Sequence, residues 1–257
     1  MKNINPSDNP SYIGITGFTH QEQVSRLIME TIPGHTHKLM VGVLANDVTM
    51  RETKVWGRYV NKNLIPELFL KDNRVLNMIH FNTREKEKLL DRLVELVSIA
   101  GENLHGFQLN MRWPDPNVLY EFKKQFPEKK IVIQMEKGDF DDYRPKEMAE
   151  KLLEYENIGN YVILDMSGGA GIEMNPQKLI KYALAISEKT NFQLVFAGGL
   201  HSKNLHIIKP ILKIFPNACI DAEGQLMNKW GSLDPEKTIP YLCRAISITS
   251  TSKRINN

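Results

Sequence analysis

The chain has 257 residues, of which 42% are hydrophobic and 25% are charged, a composition typical of globular proteins with a large core. The formal net charge is only +3 and the basic side chains form no large cluster, so we expect no nucleic-acid partner. No apolar run approaches the ~20 residues of a membrane-spanning helix, so we expect no membrane partner.

The cysteines and the first residues indicate a cytoplasmic protein. Cys219 and Cys243 are too few for a disulfide scaffold and lack the spacing of metal ligands. Residues 1–10 are polar and do not resemble a signal peptide. Reduced thiols and the absence of this targeting signal are the basis for predicting the cytoplasm.

Eight short apolar runs are predicted to be strands. They begin near Tyr12, Leu39, Leu76, Gly106, Ile131, Val162, Gln193 and Ala218. Short runs bounded by glycine or polar residues are typical of strands that are buried on both faces. The segments between them have helical periodicity, most clearly residues 89–100, where an amphipathic stripe ends at Gly101.

Several predicted helices carry start signals. Asp115, Asn175 and Asp234 each stand directly before a proline, the arrangement of an N-cap residue followed by proline at the first helical position. Residues 19–22, Thr-His-Gln-Glu, form a capping-box pattern before another helix. Residues 52–72 contain Gly57 and Pro66 and are predicted to form a longer, partly irregular excursion.

Eight alternations of strand and helix predict a parallel α/β fold, a single (β/α)8 TIM-like barrel. No linker or shift in composition divides the chain, so one domain is expected to span residues 1–257, with flexible ends at about 1–10 and 249–257. An open nucleotide-binding sheet is disfavoured because residues 14–17, Gly-Ile-Thr-Gly, do not match its glycine-rich fingerprint.

The predicted carboxyl ends of the strands are polar, and in a TIM barrel these ends form the active site. They carry Thr16, Gly17, Asn46, Asp47, His80, Asn82, Gln108, Asn110, Arg112, Gln134, Glu136, Asp165, Gly198, Gly199, Asp221 and Glu223. A period of two places Gln108, Asn110 and Arg112 on one face of their strand. Buried polar groups need partners, so this ring of polar strand-end residues predicts a functional pocket. The alternative is that these residues form hydrogen bonds with one another.

Other features weigh less. His35 and His37 are spaced like a metal-binding pair, but they precede a strand, so we expect them at the face of the barrel opposite the active site. The strand-end carboxylates Asp47, Glu136, Asp165, Asp221 and Glu223 could supply oxygens to Mg²⁺. This is a minor alternative, and we predict neither metal nor cofactor. Trp113 and Trp230 could stack on a planar ligand or serve as packing aromatics.

Two glycine-rich segments resemble the phosphoribosylanthranilate isomerase family, barrel enzymes of tryptophan biosynthesis. Residues 162–166, Val-Ile-Leu-Asp-Met, followed by Gly-Gly-Ala-Gly at 168–171, are similar to the family's strand with the catalytic aspartate and its glycine-rich loop. Residues 196–200, Phe-Ala-Gly-Gly-Leu, look like the family's phosphate-binding strand end.

The resemblance extends to the first and last strands of the predicted barrel. Residues 218–224, together with 231–237, resemble the family's last strand and final helix, and residues 15–19 resemble its first strand end. The similarity covers that first strand end and about 161–237, whereas residues 39–150 match only as a barrel pattern.

The resemblance implies an Amadori rearrangement of a small, anionic, phosphorylated sugar derivative without a cofactor. A carboxylic acid protonates the ribose ring oxygen, and a base removes the proton of the neighbouring carbon. By resemblance Asp165 is the acid, Gly168 and Gly169 contact the substrate, and Gly198 and Gly199 hold its anionic group.

This chain departs from the family at two positions. Thr16 stands where the family has its cysteine base, and a neutral hydroxyl is a poor base unless a stronger one activates it. The base would then be His80, Asp47 or Glu136. Glu223 stands where the family has a small hydroxyl or amide residue, and it would repel a phosphate unless it points away or pairs with a cation.

The sequence leaves three functions open. The first is an isomerase with Asp165 as acid, whose carboxylate-binding arginine would be Arg51 or Arg112. The second is a catalytically silent relative that binds a small ligand or a partner. The third is a lyase or aldolase that uses Mg²⁺ or a Schiff-base lysine, for which Lys137 is the nearest candidate. The sequence does not indicate an oligomeric state.

Overall fold

The computed structural model describes residues 9–31, 35–51, 57–167 and 172–254, with side chains to residue 250. Within these ranges eight parallel strands close into a barrel in chain order, which confirms the predicted (β/α)8 TIM barrel. The strands are β1 (Ser11–Thr16), β2 (His37–Asn46), β3 (Val75–Asn82), β4 (Gly106–Leu109), β5 (Lys130–Glu136), β6 (Tyr161–Asp165), β7 (Gln193–Ala197) and β8 (Cys219–Ala222). The ring closes where β1 pairs with β8.

Ten α-helices occur in the described part of the chain. They are α1 (Gln21–Glu30), α2 (Asp47–Arg51), α3 (Ile65–Leu68), α4 (Leu89–Ala100), α5 (Pro116–Gln125), α6 (Lys137–Asp142), α7 (Pro145–Leu152), α8 (Pro176–Lys189), α9 (Lys209–Ile214) and α10 (Pro235–Arg254). Leu89, Leu93, Leu96 and Ala100 of the predicted stripe of α4 are buried, and the helix ends at Gly101. Gly101 has a φ of 75°, and glycine adopts this conformation without steric cost.

The predicted element starts agree closely with the structure. Every strand begins within two residues of its predicted start. Asp115 and Asn175 act as N-caps, accepting hydrogen bonds from backbone N–H groups at 2.9 and 3.1 Å. The capping box of α1 is shifted by one residue, because Gln23 rather than Glu22 accepts from the preceding backbone N–H groups.

The barrel has two layers of apolar side chains because successive strand residues point to opposite faces. The larger layer lies between the strands and the helices. The inner layer fills the barrel with Tyr12, Met40, Leu76, Met78, Val132, Tyr161, Ile163, Val195, Ala197 and Cys219. This inner layer closes the barrel below its carboxyl-terminal end and forms the support for any site there.

The amino-terminal end of the barrel is closed by polar contacts. The Asn9 side chain donates to the carbonyl of Asn160 at 3.2 Å and accepts from Lys130 at 2.9 Å. His37 begins β2, and its Nε2 lies 3.2 Å from the Ala218 carbonyl oxygen. His35 and His37 therefore lie at the amino-terminal face of the barrel, opposite the carboxyl ends of the strands, as predicted.

Some predictions concern residues at the edges of the described ranges. Residues 1–8 and 255–257, in the predicted flexible ends, lie outside the described residues, and residues 249–254 continue α10. Of the predicted excursion, residues 52–56 also lie outside, and the remainder contains a short 3-10 helix and α3. None of the helices that the structure describes is long and apolar enough to cross a membrane.

Candidate active site

A cavity of about 240 Å³ opens at the carboxyl-terminal ends of the strands. Ten of the residues at the predicted strand ends line it: His80, Gln108, Asn110, Gln134, Glu136, Asp165, Gly198, Gly199, Asp221 and Glu223. The cavity is also lined by Arg58 and Tyr59. The strand ends thus bring a large part of the predicted ring together at one site.

Three carboxyl groups belong to one row of residues paired across neighbouring strands. Glu136 on β5 lies opposite Asp165 on β6, which lies opposite Ala197 on β7, which in turn lies opposite Asp221 on β8. We call these four residues the acidic row. Because Ala197 has only a methyl side chain, it leaves open space between the carboxyl groups of Asp165 and Asp221.

Asp165 is held by the turn that follows β6. Its Oδ1 accepts hydrogen bonds from the backbone N–H of Ser167 at 2.9 Å and from the Ser167 hydroxyl at 2.6 Å. Two donors on one oxygen fix the orientation of the carboxyl group. Proton transfer to or from a ligand therefore falls to Oδ2.

Asp221 is the most deeply buried carboxyl group of the row, with 5% of the residue exposed. Its Oδ1 has no hydrogen-bond partner among the described residues, and the hydroxyl groups of Tyr12 and Tyr241 are likewise unpartnered. Burial, and to a lesser extent the charges of Glu223 and Asp165, raise the pKa of Asp221 well above its ordinary value.

Glu223 forms an ion pair with Arg58 inside the cavity. Burial raises the pKa of Glu223, whereas the positive charge of Arg58 acts in the opposite direction. Sequence reasoning missed Arg58, which lies in the irregular region after β2 and far from Glu223 along the chain. The pair provides the cation that an anionic ligand near Glu223 would require.

Glu136 and two glutamines complete the wall on the side of β4 and β5. Burial, followed by the charge of Asp139, raises the pKa of Glu136. The side-chain N–H of Gln108 donates to Oε1 of Gln134 at 3.1 Å. Oε1 of Gln108 is buried and has no partner in the described part of the chain.

Thr16 and His80 form a hydrogen-bonded pair at the ends of β1 and β3. Oγ1 of Thr16 lies 3.2 Å from Nε2 of His80, and both residues are buried. Burial lowers the pKa of His80 to about 3, so the imidazole is neutral at physiological pH. A Cβ on Gly42 would lie 2.3 Å from the Thr16 hydroxyl, so the glycine makes room for the pair.

The other predicted site residues lie elsewhere. Asn46 and Asp47 line a neighbouring groove, where Asp47 accepts from the Thr83 hydroxyl at 2.6 Å. Arg112 does not line the cavity, because β4 ends at Leu109 and the alternation of side chains does not extend to it. Gly168 and Gly169 lie outside the described residues.

Arg112 and Arg51, the two candidates for the carboxylate-binding arginine, are both engaged in ion pairs. Arg112 pairs with Asp139 at 2.9 Å and with Asp142 at 2.6 Å. Arg51 pairs with Glu85 at the rim of the neighbouring groove. Either arginine would have to exchange an existing partner for a ligand carboxylate.

The glycines after β7 have the conformation of a tight turn that faces the cavity. Gly198 has a φ of 128° and Gly199 a φ of 59°, values that favour glycine. Without side chains, their backbone atoms can approach a ligand closely, as in many anion-binding turns.

The two tryptophans differ in environment. Trp113 packs against Tyr143 and Tyr155 with ring centroids 5.5 and 6.1 Å apart, which matches the packing alternative. Trp230 is 75% exposed in a turn where Asn228 accepts from its backbone N–H at 2.8 Å.

Comparisons with known proteins place this site in a familiar fold. No family model matches the chain, and no curated protein matches it. Among solved structures, the chain is similar to phosphoribosyl anthranilate isomerase in complex with reduced 1-(o-carboxyphenylamino)-1-deoxyribulose 5-phosphate. The TM-score is 0.63 at 14% identity, covering 94% of this chain and 99% of that one.

Two further structures show the same similarity. Phosphoribosyl anthranilate isomerase from Thermococcus kodakaraensis has a TM-score of 0.58 at 16% identity, covering 92% of this chain and 98% of that one. Tryptophan synthase subunit alpha from Legionella pneumophila has a TM-score of 0.60 at 13% identity, covering 95% and 94%. This likeness shows the fold alone. Activity has to be argued from the site.

Proposed function

We propose that this protein is an isomerase that rearranges a small sugar derivative by proton transfer at the mouth of the barrel. The observation that carries the proposal is the acidic row, in which Glu136 and Asp165 lie opposite each other on adjacent strands within one cavity. Two carboxyl groups side by side can serve as the acid and the base of one isomerisation.

Asp165 acts as the acid in this proposal. Ser167 holds Oδ1 as an acceptor, so the transferred proton is carried on Oδ2. Donation of this proton to the ring oxygen of a sugar allows the bond between that oxygen and the anomeric carbon to break. The lone pair of the nitrogen or oxygen attached to the anomeric carbon forms a double bond to it at the same time. The Asp165 carboxylate is left behind, and the ring opens.

Glu136 acts as the base. Its raised pKa makes it a stronger base than an ordinary glutamate, and its position opposite Asp165 allows it to reach a carbon next to the one that has lost its ring bond. Removal of a proton from this carbon forms the enol or enolamine. A proton added to the carbon that has lost its ring bond then converts this intermediate to product. The other candidates suit this role less well.

His80 is a weak base, because its pKa is lowered to about 3. Thr16 is fully buried and does not line the cavity, and Asp47 lies in the neighbouring groove. These placements favour Glu136 over the alternatives that the sequence left open.

An anionic group of the substrate would be held at the turn of Gly198 and Gly199, with Arg58 nearby. Arg58 offsets the charge of Glu223, which removes the main objection to a phosphate at this end of the cavity. The structurally similar isomerase was solved with a 5-phosphate compound. A phosphorylated sugar derivative is therefore the substrate class that we propose.

The test is turnover of phosphoribosylanthranilate by purified protein, followed through loss of substrate fluorescence. Asp165→Asn and Glu136→Gln should each reduce kcat by at least about 100-fold, since general acid–base groups contribute about 10²–10⁴-fold. Glu188→Gln, on the exposed surface of α8, is the matched control and should retain full activity.

Circular dichroism and thermal melting would show that each variant is folded. Turnover that is unchanged in Asp165→Asn would refute the assignment of the acid. Absence of turnover in the folded wild-type protein would favour a catalytically silent barrel that binds a ligand or partner.

A further inference from the structure

The floor of the cavity carries the side-chain amide of Gln134. This residue lies on β5, two positions before Glu136, so both side chains point to the same face and Gln134 lies about 7 Å deeper in the barrel. It lines the cavity although only 7% of the residue is exposed. The amide therefore lies beneath the acidic row, at the closed end of the site.

A second glutamine fixes the orientation of this amide. Nε2 of Gln108 on β4 donates to Oε1 of Gln134 at 3.1 Å, so the oxygen of Gln134 is already used. The carboxyl groups of the acidic row attract the partial positive charge of an NH2 group and repel an oxygen. Both interactions favour the orientation in which the NH2 group of Gln134 is on the side of the cavity.

This NH2 group has no acceptor in the protein. Among the described residues, Nε2 of Gln134 donates to no partner, neither to Glu136 nor to Asp165 above it, and it is not one of the shielded side-chain atoms without a partner. Oε1 of Gln108, in contrast, is shielded and cannot reach a ligand. Gln134 is thus a deeply buried side chain whose N–H groups open into the cavity, and donors in such a place need an acceptor.

The surroundings of Gln134 restrict what this acceptor can be. Gln134 lies opposite Ile163 on β6, and Ile163 also lines the cavity but offers only apolar surface. A carboxylate or phosphate at the floor would lie beneath the carboxyl groups of the acidic row and would be repelled by them. A neutral oxygen on a carbon skeleton, either a hydroxyl or a carbonyl, suits a donor beside an apolar wall.

We propose that Gln134 determines substrate specificity by donating a hydrogen bond to the hydroxyl oxygen on the carbon from which Glu136 removes a proton. This inference rests on the proposed function, because it concerns the substrate of the same site. Gln134 and Glu136 belong to one strand, so the bond holds that carbon next to the base. When the enol hydroxyl loses its proton, the same oxygen becomes the carbonyl oxygen of the product and is still an acceptor. Gln108 is the positioning residue that orients the amide.

Isothermal titration calorimetry with two probes tests this inference without turnover. D-ribose 5-phosphate and 2-deoxy-D-ribose 5-phosphate carry the same phosphate and differ only in the hydroxyl next to the anomeric carbon. We expect wild-type protein to bind the ribose compound about three- to tenfold more tightly, the effect of one net hydrogen bond. A preference of less than about twofold overturns the inference, as does a lack of binding of both compounds.

Gln134→Met removes the amide with little change in side-chain volume. We expect this variant to bind the two compounds equally, because only the affinity for the ribose compound decreases. Gln125→Met is the matched control, since it makes the same substitution at an exposed position of α5, and it should keep the wild-type preference. Circular dichroism would show that both variants are folded, and a folded Gln134→Met protein that still prefers ribose 5-phosphate would refute the assignment.

NMR of the wild-type protein gives a measurement that needs no variant. The side-chain N–H resonances of Gln134 should shift when ribose 5-phosphate saturates the protein and should shift much less with the 2-deoxy compound. Resonances that do not move, or that move equally with both compounds, would contradict a hydrogen bond to this hydroxyl.

Failure of the isomerase proposal would look different. A protein without turnover that prefers ribose 5-phosphate through Gln134 would keep this hydrogen bond as a binding determinant. Turnover that depends on Asp165 and Glu136, together with equal binding of the two probes, would leave only the isomerase proposal.

Discussion

Gly14 provides a sharp test of how Asp221 is accommodated inside the barrel. A Cβ at position 14 would lie 2.4 Å from Oδ1 and 2.9 Å from Cγ of Asp221, and 2.8 Å from Cε of Met40. Ordinary contacts of a Cβ begin at 3.4 Å, so the added methyl group overlaps the carboxyl group by up to about 1 Å. The Met40 methyl group can rotate away, whereas Asp221 is enclosed.

We expect Gly14→Ala to lower the free energy of unfolding by about 1–3 kcal/mol, the usual cost of overpacking a core. For a chain of this length, each kcal/mol corresponds to a decrease in Tm of about 2–4 °C. Gly224→Ala is the matched control, because a Cβ there meets no atom within 4 Å. It should change stability by less than about 0.5 kcal/mol.

A double-mutant cycle identifies the source of the effect. Asp221→Ala removes the carboxyl group that the new methyl group contacts, so Gly14→Ala should cost less in that background. We expect a coupling energy of about 0.5–3 kcal/mol from chemical denaturation. If Gly14→Ala is equally destabilising with and without the carboxyl group, or is neutral, then the glycine does not serve to accommodate Asp221.

Three further predictions concern single side chains of the site. Arg58→Gln removes the charge that opposes protonation of Glu223, so the pKa of Glu223 should rise, as measured by NMR titration; an unchanged pKa would contradict the ion pair. Ser167→Ala removes one of two donors to Asp165 and should lower kcat with little change in KM; a variant with full kcat would show that the hydroxyl does not position the acid. For His80, the pKa of about 3 lies below the ~6.5 of an unfolded chain, so the unfolded state binds more protons between these values. Stability should therefore fall as pH decreases from 6.5 towards 3, by up to about 1.4 kcal/mol per pH unit; His80→Gln should show a smaller loss, and an equal loss would mean that other groups cause it.

The fold could be predicted from sequence because its signals are local. Short apolar runs, helical stripes and proline-marked helix starts each extend over fewer than about 20 residues, and together they located every strand within two residues. The closed ring then placed residues as distant in sequence as His80 and Glu223 in one cavity, because parallel strands bring their carboxyl ends to the same face. The roles of these residues remain predictions.

The partners of the site residues could not be predicted in the same way. Arg58 follows a segment without periodicity, so no pattern indicated that it pairs with Glu223. The alternation argument for Arg112 required an extended chain, but β4 ends at Leu109, and the arginine turns instead to Asp139. Long-range side-chain pairing depends on the conformations of loops, which hydrophobic patterns do not describe.

The contact between β1 and β8 has a consequence for how the chain is made. The backbone N–H of Tyr12 on β1 donates to the sulfur of Cys219 on β8, and these residues are 207 apart in sequence. A ribosome therefore releases β1 long before β8 is made, and the edge of β1 that pairs with β8 stays open until then. Pairings between distant segments form slowly, since the chain between them must first be ordered. Closure of the ring therefore has to wait for β8, and until it occurs the edge of β1 is an unpaired strand edge of the kind through which chains associate.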